Sequence, residues 1–149
     1  MKMPTEYCKL ILDQDERITQ WICAGLNEDL SWVGEHKTLG MVYKGNLIGG
    51  LIYHNLRDKH DLWWTIYTID KRWCNRRILA AIFGYAFNFL RVKKINILVN
   101  TNNAKCLKLV TKLGFRQEGL LRCYREDGSD CYIYGMLKSE NKWKGKKHE

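Results

Sequence analysis

The order in which strand and helix periodicity alternate constrains this chain most. Residues 6–13, Glu-Tyr-Cys-Lys-Leu-Ile-Leu-Asp, read as a strand, and Ile18, Trp21, Ile22 and Leu26 follow at helical spacing. Asp13-Gln14-Asp15-Glu16 has the form of a capping box, with the Asp13 side chain expected on the first helical N–H groups. A short helix is expected over Leu30–Val33. Thr38–Tyr43 and Leu47–Leu56 flank the turn Lys44-Gly45-Asn46, which predicts a hairpin. Leu62–Ile69 is another strand, rich in Thr and aromatics. A helix from about Asn75 to Leu90 carries Ile78, Ile82, Tyr85, Ala86 and Phe89 on one face. In Lys94–Asn100, Ile95, Ile97 and Val99 alternate to one side. Asn103–Leu113 is helical and stops at Gly114, while Phe115–Tyr124 and Asp130–Leu137 pair around Asp127-Gly128. The order β-α-(α)-β-β-β-α-β-α-β-β predicts an α+β sandwich, a mixed and mostly antiparallel sheet with helices on both faces.

The 149 residues fit one domain, and the single proline, Pro4, leaves no Pro/Gly/Ser-rich stretch that could act as a linker. No apolar run reaches the ~20 residues of a membrane span, and the polar start Met1-Lys2-Met3-Pro4-Thr5-Glu6 does not read as a signal peptide. Cys8, Cys23, Cys74, Cys106, Cys123 and Cys131 are scattered, as expected of reduced thiols in a cytoplasmic protein. Neither they nor His36, His54, His60 and His148 have metal-ligand spacing, so no metal is expected. The formal charge is +9; from Lys138 to the end, five lysines face two glutamates, leaving +6 for the rest. Such a field favours polyanions: a nucleotide, a nucleic acid or an acidic protein.

"KRWCNRRILAAIFGYAF", residues 71–87, follows a strand, carries adjacent arginines and then turns apolar at helical spacing. It opens like a helix whose N-terminus holds a phosphate, yet Trp73-Cys74-Asn75-Arg76-Arg77 contains no glycine. Asn75 tolerates the left-handed region, and Arg76 and Arg77 bring full charges where a helix N-terminus brings about half of one.

"NAKCLKLVTKLGFRQEGLLR" (103–122) and "DGSDCYIYGML" (127–137) resemble the C-terminal half of the GNAT N-acetyltransferases. The nearest branch acetylates protein N-termini and related amines. The matching positions are Asn103, Cys106, Lys112-Leu113-Gly114-Phe115, Glu118-Gly119, Arg122, Asp130 and Tyr134. The resemblance implies one GNAT-like domain over residues 1–138 with a basic, flexible tail over 139–149. It implies direct transfer of acetyl from acetyl-CoA to an amine on a protein, a small molecule or a nucleic acid. Acetyl-CoA would lie where Leu62–Ile69 and Ile95–Asn100 splay apart. Its contacts would be Tyr67, Thr68, Ile69, Asn75, Arg76, Arg77, Ile78, Asn103 and Cys106.

Two departures stand out. The family's pyrophosphate glycines are absent, and its usual Tyr proton donor falls on Val110. Cys106, in the first turn of its helix, is the candidate donor, its pKa expected to be lowered by the helix dipole and Lys105. His54 is the candidate base that deprotonates the amine, with Asp61, Glu118 and Tyr134 weaker. Trp63 and Trp64 lie on opposite strand faces, so one belongs to the core and the other to the floor of the acceptor cleft. The alternative reading is a GNAT fold without acetyl transfer, acting on nucleic acid or as a protein-interaction module. Phage-type members also depart from the usual pattern.

Overall fold

The computed structural model describes residues 7–30 and 33–144. In chain order the elements are β1 (Lys9–Ile11), α1 (Asp15–Leu26), β2 (His36–Tyr43), β3 (Asn46–Arg57), β4 (Asp61–Thr68), α2 (Arg76–Gly84), β5 (Lys94–Asn100), α3 (Ala104–Leu113), β6 (Arg116–Leu121) and β7 (Cys131–Leu137). They build one seven-stranded sheet in the order β1-β2-β3-β4-β5-β7-β6. The pairs joined by short connections are antiparallel, but β4 and β5 run parallel, because α2 carries the chain back across the sheet between them.

α1 covers one face and α2 and α3 the other, as expected. α1 sits low because Gly40 and Gly50, cross-strand partners on β2 and β3, leave room for Ile18 and Ile22. A Cβ on Gly50 would stand 2.8 Å from Ile22 Cδ1. Burying each of these isoleucines contributes about 1.5–3 kcal/mol. On the opposite face Trp64, Phe83, Phe87 and Phe115 form an aromatic core, closed by Val110 and Leu113 of α3. The helix expected to Leu90 is α-helical to Gly84 and then widens into a π turn, Tyr85–Phe89, closed by Leu90 N–H on the Tyr85 carbonyl (2.9 Å).

Two local expectations are corrected. The first strand is shorter, Lys9–Ile11. Asp13 has φ +60°, so Gln14 is the N-cap of α1 and no side chain caps it. The acidic residue that does bond is Asp15, which accepts from Thr38 N–H (3.0 Å) and Oγ1 (2.7 Å) and ties the start of α1 to β2. The helix expected at Leu30–Val33 falls partly outside the described residues; Val33 N–H reaches the Leu30 carbonyl (3.0 Å). At the other end, packing continues past residue 138. Asn141 is 8% exposed, and Trp143 Nε1–H donates to the Leu113 carbonyl (2.7 Å). Residues 145–149 of the expected tail lie outside the described residues.

Candidate active site

β4 and β5 stay in register only from Asp61↔Lys94 to Trp64↔Ile97. Their outer edges are held further: β3 pairs β4 up to Gly49↔Thr68, and β7 pairs β5 up to Asn100↔Cys131. The inner edges therefore part, opening a cavity of about 490 Å³ lined by Trp63, Ile66, Leu98, Asn100, Asn103 and Cys106, among others.

Main-chain groups alternate sides along a strand. Ile69 N–H donates to the Ile48 carbonyl (2.8 Å), so Ile69 and Tyr67 face β3, and Ile66 and Thr68 face the cleft. On β5, the Lys93 carbonyl and Thr101 N–H bond toward β7, which leaves Leu98 and Asn100 facing the cleft. Leu98 N–H makes the last ladder bond, to the Trp64 carbonyl, and beyond it the main-chain groups of both walls face the cleft with no β4–β5 ladder. Of the expected β4 contacts, Thr68 offers its main chain to the cleft. The Tyr67 ring packs on Trp21 (5.3 Å) and against Gly25, and the Ile69 side chain is exposed. Trp64, 2% exposed, is the core member of its pair, and Trp63, half-buried, lines the cleft from the α1 face. Trp64 Nε1–H has no acceptor among the described residues.

His54 is buried on the α1 face of the cleft. Its Nδ1 lies 2.7 Å from Asn55 Oδ1 and its Nε2 2.9 Å from Thr65 Oγ1. Asn55 Oδ1 can only accept, so Nδ1 carries the proton, and Nε2 accepts from the Thr65 hydroxyl. Burial holds the His54 pKa below the usual 6.5 and keeps the ring neutral. The weaker candidates stand apart from the cleft wall. Asp61 is held by Arg57 (2.7 and 2.8 Å), Glu118 by Lys94 (2.7 Å), and Tyr134 Oη reaches Gln117 Oε1 at 3.4 Å.

On the opposite face Asn103 caps α3, its Oδ1 accepting from Cys106 N–H (3.1 Å), and places the Cys106 thiol on the cleft wall. Its expected low pKa is overturned: burial pushes the thiol from 9.0 up to about 11. Cys106 is a neutral S–H donor.

The glycine-free turn is built by burial and capping instead. Asp70 caps the short 3-10 turn Lys71–Trp73 and pairs with Arg72 (2.6 Å), while the Trp73 ring, 2% exposed, anchors the turn in the core. Asn75 caps α2, its Oδ1 taking Ile78 N–H (3.0 Å) and its carbonyl Leu79 N–H (2.9 Å). The N–H groups of Arg76 and Arg77 remain as unpaired donors of the first turn. The Arg77 guanidinium donates to the Cys8 carbonyl and braces α2 against the start of β1. The Arg76 side chain is exposed and makes no ion pair with another described residue.

Sequence reasoning missed Thr65, Ile66, Leu98 and the strap at the cleft mouth. There Arg125 of the β6–β7 connection donates to Asn100 Oδ1 (2.7 Å) and pairs with Glu28 beyond α1 (3.3 Å). No sequence signal marks these residues, because their value lies in which strand edge or loop meets which. Among the described residues no three His, Cys, Asp or Glu side chains gather to hold a metal ion, and no helix is long and apolar enough to cross a membrane.

A family model described as an acetyltransferase (GNAT) domain matches residues 13–133. The chain is 31% identical to the "Uncharacterized N-acetyltransferase YoaA" of Bacillus subtilis over 62% of this chain, and spans 56% of that relative's length. It is 26% identical to the "Putative ribosomal N-acetyltransferase YdaF" of the same organism, over 93% of this chain and 87% of the relative. Its fold matches the spermidine/spermine N-acetyltransferase SpeG of Vibrio cholerae with a TM-score of 0.72 at 16% identity, over 91% of this chain and 95% of the other.

Proposed function

The chain belongs to the GNAT acetyltransferase family, and on that premise we propose that it moves acetyl from acetyl-CoA to an amine in the cleft between β4 and β5. The observation that carries this reading is the pair of facing main-chain edges beyond the last ladder bond, Ile66 and Thr68 against the Leu98 carbonyl and Asn100. A flexible chain of amides fits such edges as an added strand would. The unpartnered Trp64 Nε1–H, at the apex of the opening, fits a carbonyl-bearing ligand in the same way.

Acetyl-CoA supplies an activated acetyl thioester. Asn103, Cys106, Thr68 and Ile66 would hold its arm, and the first-turn N–H groups of α2, the Asn75–Ile78 turn and the Arg76 side chain would hold its phosphates. The residues toward the acceptor move the proton. Thr65 Oγ1, bonded to neutral His54 Nε2, accepts a proton from the amine while its own passes to the imidazole. Unpaired N–H groups on β4 stabilise negative charge on the acetyl oxygen. The Cys106 S–H hydrogen-bonds to the sulfur that leaves. With a pKa of about 11, it holds its proton more tightly than the ~8.5 of a free thiol, so it acts by hydrogen bonding and water protonates the sulfur.

The acceptor enters past Trp63 and the Arg125 strap. Among the described residues Glu28 is the one carboxylate lining the cleft, and Arg125 neutralises it. That favours a singly charged amine, such as the protein N-termini modified by the nearest branch, over a polyamine. The glycine-free turn and Val110 are departures a divergent, phage-type member would carry.

The test is transfer of labelled acetyl to three acceptors: a peptide α-amine, spermidine and an amine-bearing nucleoside. Transfer with the peptide ahead of spermidine supports this reading. No transfer, together with no binding of acetyl-CoA, leaves a GNAT fold that acts by binding alone.

A further inference from the structure

The end of the sheet remote from the cleft gathers cations that nothing in the acetyl-transfer reading uses. Three segments meet there through main-chain bonds. Lys93 N–H donates to the His60 carbonyl (2.8 Å), and Lys138 N–H to the Lys93 carbonyl (2.8 Å). These bonds align the β3–β4 turn, the segment entering β5 and the end of β7, placing His60, Lys93 and Lys138 on neighbouring chains at steps of about 5 Å, with Lys59 one residue before His60. Arg91 adds a fourth cation beside them. All four are exposed and make no ion pair with another described residue.

The carboxylates of this end are already engaged. Asp61 pairs with Arg57, Glu118 with Lys94 and Glu140 with Arg116, so Asp58 is the exposed acid left among them. The acidic residues Asp13 and Asp15 lie at the start of α1, toward the β1–β2 side, and near enough to Tyr85 to add to burial in pushing its hydroxyl pKa up. Lys59 and Arg91 both have positive φ, +57° and +59°, where glycine or asparagine costs less strain.

An aromatic ring lies in the turn that leads into Arg91. Phe89, in the π turn two residues before Arg91, is 71% exposed and stacks on Tyr85 (centroids 5.2 Å apart, planes at 17°). A braced, exposed ring next to uncompensated cations is what a base and its flanking phosphates require, and an acidic peptide has no use for it.

We propose that this end of the sheet binds single-stranded nucleic acid, with Lys59, Arg91, Lys93 and Lys138 on phosphates and Phe89 beneath a base. From Lys93 to Asn100, β5 spans about 23 Å, so the bound strand sits clear of the cleft and would deliver an acceptor amine held elsewhere on the same complex.

The experiment is fluorescence anisotropy of a short labelled single-stranded RNA titrated with the full chain at about 50–200 mM salt. It contains no acetyl-CoA, so its result stands whether or not the chain transfers acetyl. Binding is expected with a steep salt dependence. The variant Lys59→Gln/Lys93→Gln/Lys138→Gln should flatten the log–log slope by about 2. Phe89→Ala should weaken binding on the order of tenfold with the slope unchanged. The control Lys9→Gln/Lys37→Gln/Lys44→Gln, on the β1–β2 edge, should bind as the unmodified chain does. Absence of binding, or equal loss in the control, overturns the proposal. So does poly-glutamate bound as tightly as the RNA with no effect of Phe89→Ala, which would assign the surface to an acidic protein.

Discussion

Trp64 of β4 and Ile97 of β5 are the last residues that the two parallel strands hold in register, and the cleft begins at the next step. Two residues past Trp64, the Ile66–Leu51 pair keeps β4 beside β3 while Ile66 turns its own amide to the opening. The site is thus a property of where a ladder stops.

Proline at Ile66 therefore removes a donor from the cleft without removing a bond to β3. We expect Ile66→Pro to lower acetyl transfer by about 10²–10³-fold, the cost of deleting one donor to a developing oxyanion. Ile66→Ala, which loses the side chain and keeps the N–H, should retain most of the activity. Steady-state rates on the two variants, with a thermal melt to check folding, decide this.

Cys106 should resist modification until strongly alkaline pH. Its thiol ionises near 11 when folded and near 9.0 when unfolded. The unfolded chain therefore loses this proton first, and stability is full below pH 9 and falls as pH rises from about 9 to 11. Alkylation followed by mass spectrometry at neutral pH should label exposed Cys123 well before Cys106. Cys106→Ser, which keeps a hydrogen-bond donor, should transfer acetyl more than Cys106→Ala.

His54 titrates in the opposite sense. Its folded pKa lies below the ordinary 6.5, so on acidification the unfolded chain binds this proton first. The stability due to neutral His54 is present above 6.5 and is lost as pH falls from there through the folded pKa. Urea midpoints should drop across that window in the unmodified chain and less in His54→Gln. Thr65→Val, which breaks the hydroxyl link, should lower kcat about 100-fold, and Thr65→Ser should restore it.

The fold was legible where side-chain pattern decides it. The hairpin around Lys44-Gly45-Asn46, the alternation of Ile95, Ile97 and Val99 and the Asn103 and Gly114 caps all stand as expected. That Trp63 and Trp64 fall on opposite faces followed from period two; which of them is core, Trp64, is read from the structure alone. What escaped depends on tertiary context. The Cys106 pKa runs opposite to expectation because desolvation, invisible in sequence, sets it. Asp13 failed as a cap because its backbone turns into the left-handed region. Ile66 and Leu98 carry no residue signal, since their amides matter and their side chains do not.

Arg76 and Arg77, adjacent in sequence, should separate in experiment. Arg77 braces the Cys8 carbonyl, so Arg77→Ala should cost about 1 kcal/mol of stability. Arg76→Ala should leave the melting temperature unchanged and weaken acetyl-CoA binding severalfold, by an amount that shrinks as salt rises. Differential scanning fluorimetry with and without acetyl-CoA reads both effects.

The central claim is that the parted edges of β4 and β5 grip acetyl-CoA. Isothermal titration calorimetry of the full chain with acetyl-CoA tests it most directly. The account predicts one-to-one binding at micromolar concentration, weakened by Ile66→Pro and far less by Ile66→Ala. Absence of heat at millimolar acetyl-CoA, or binding indifferent to Ile66→Pro, would contradict it.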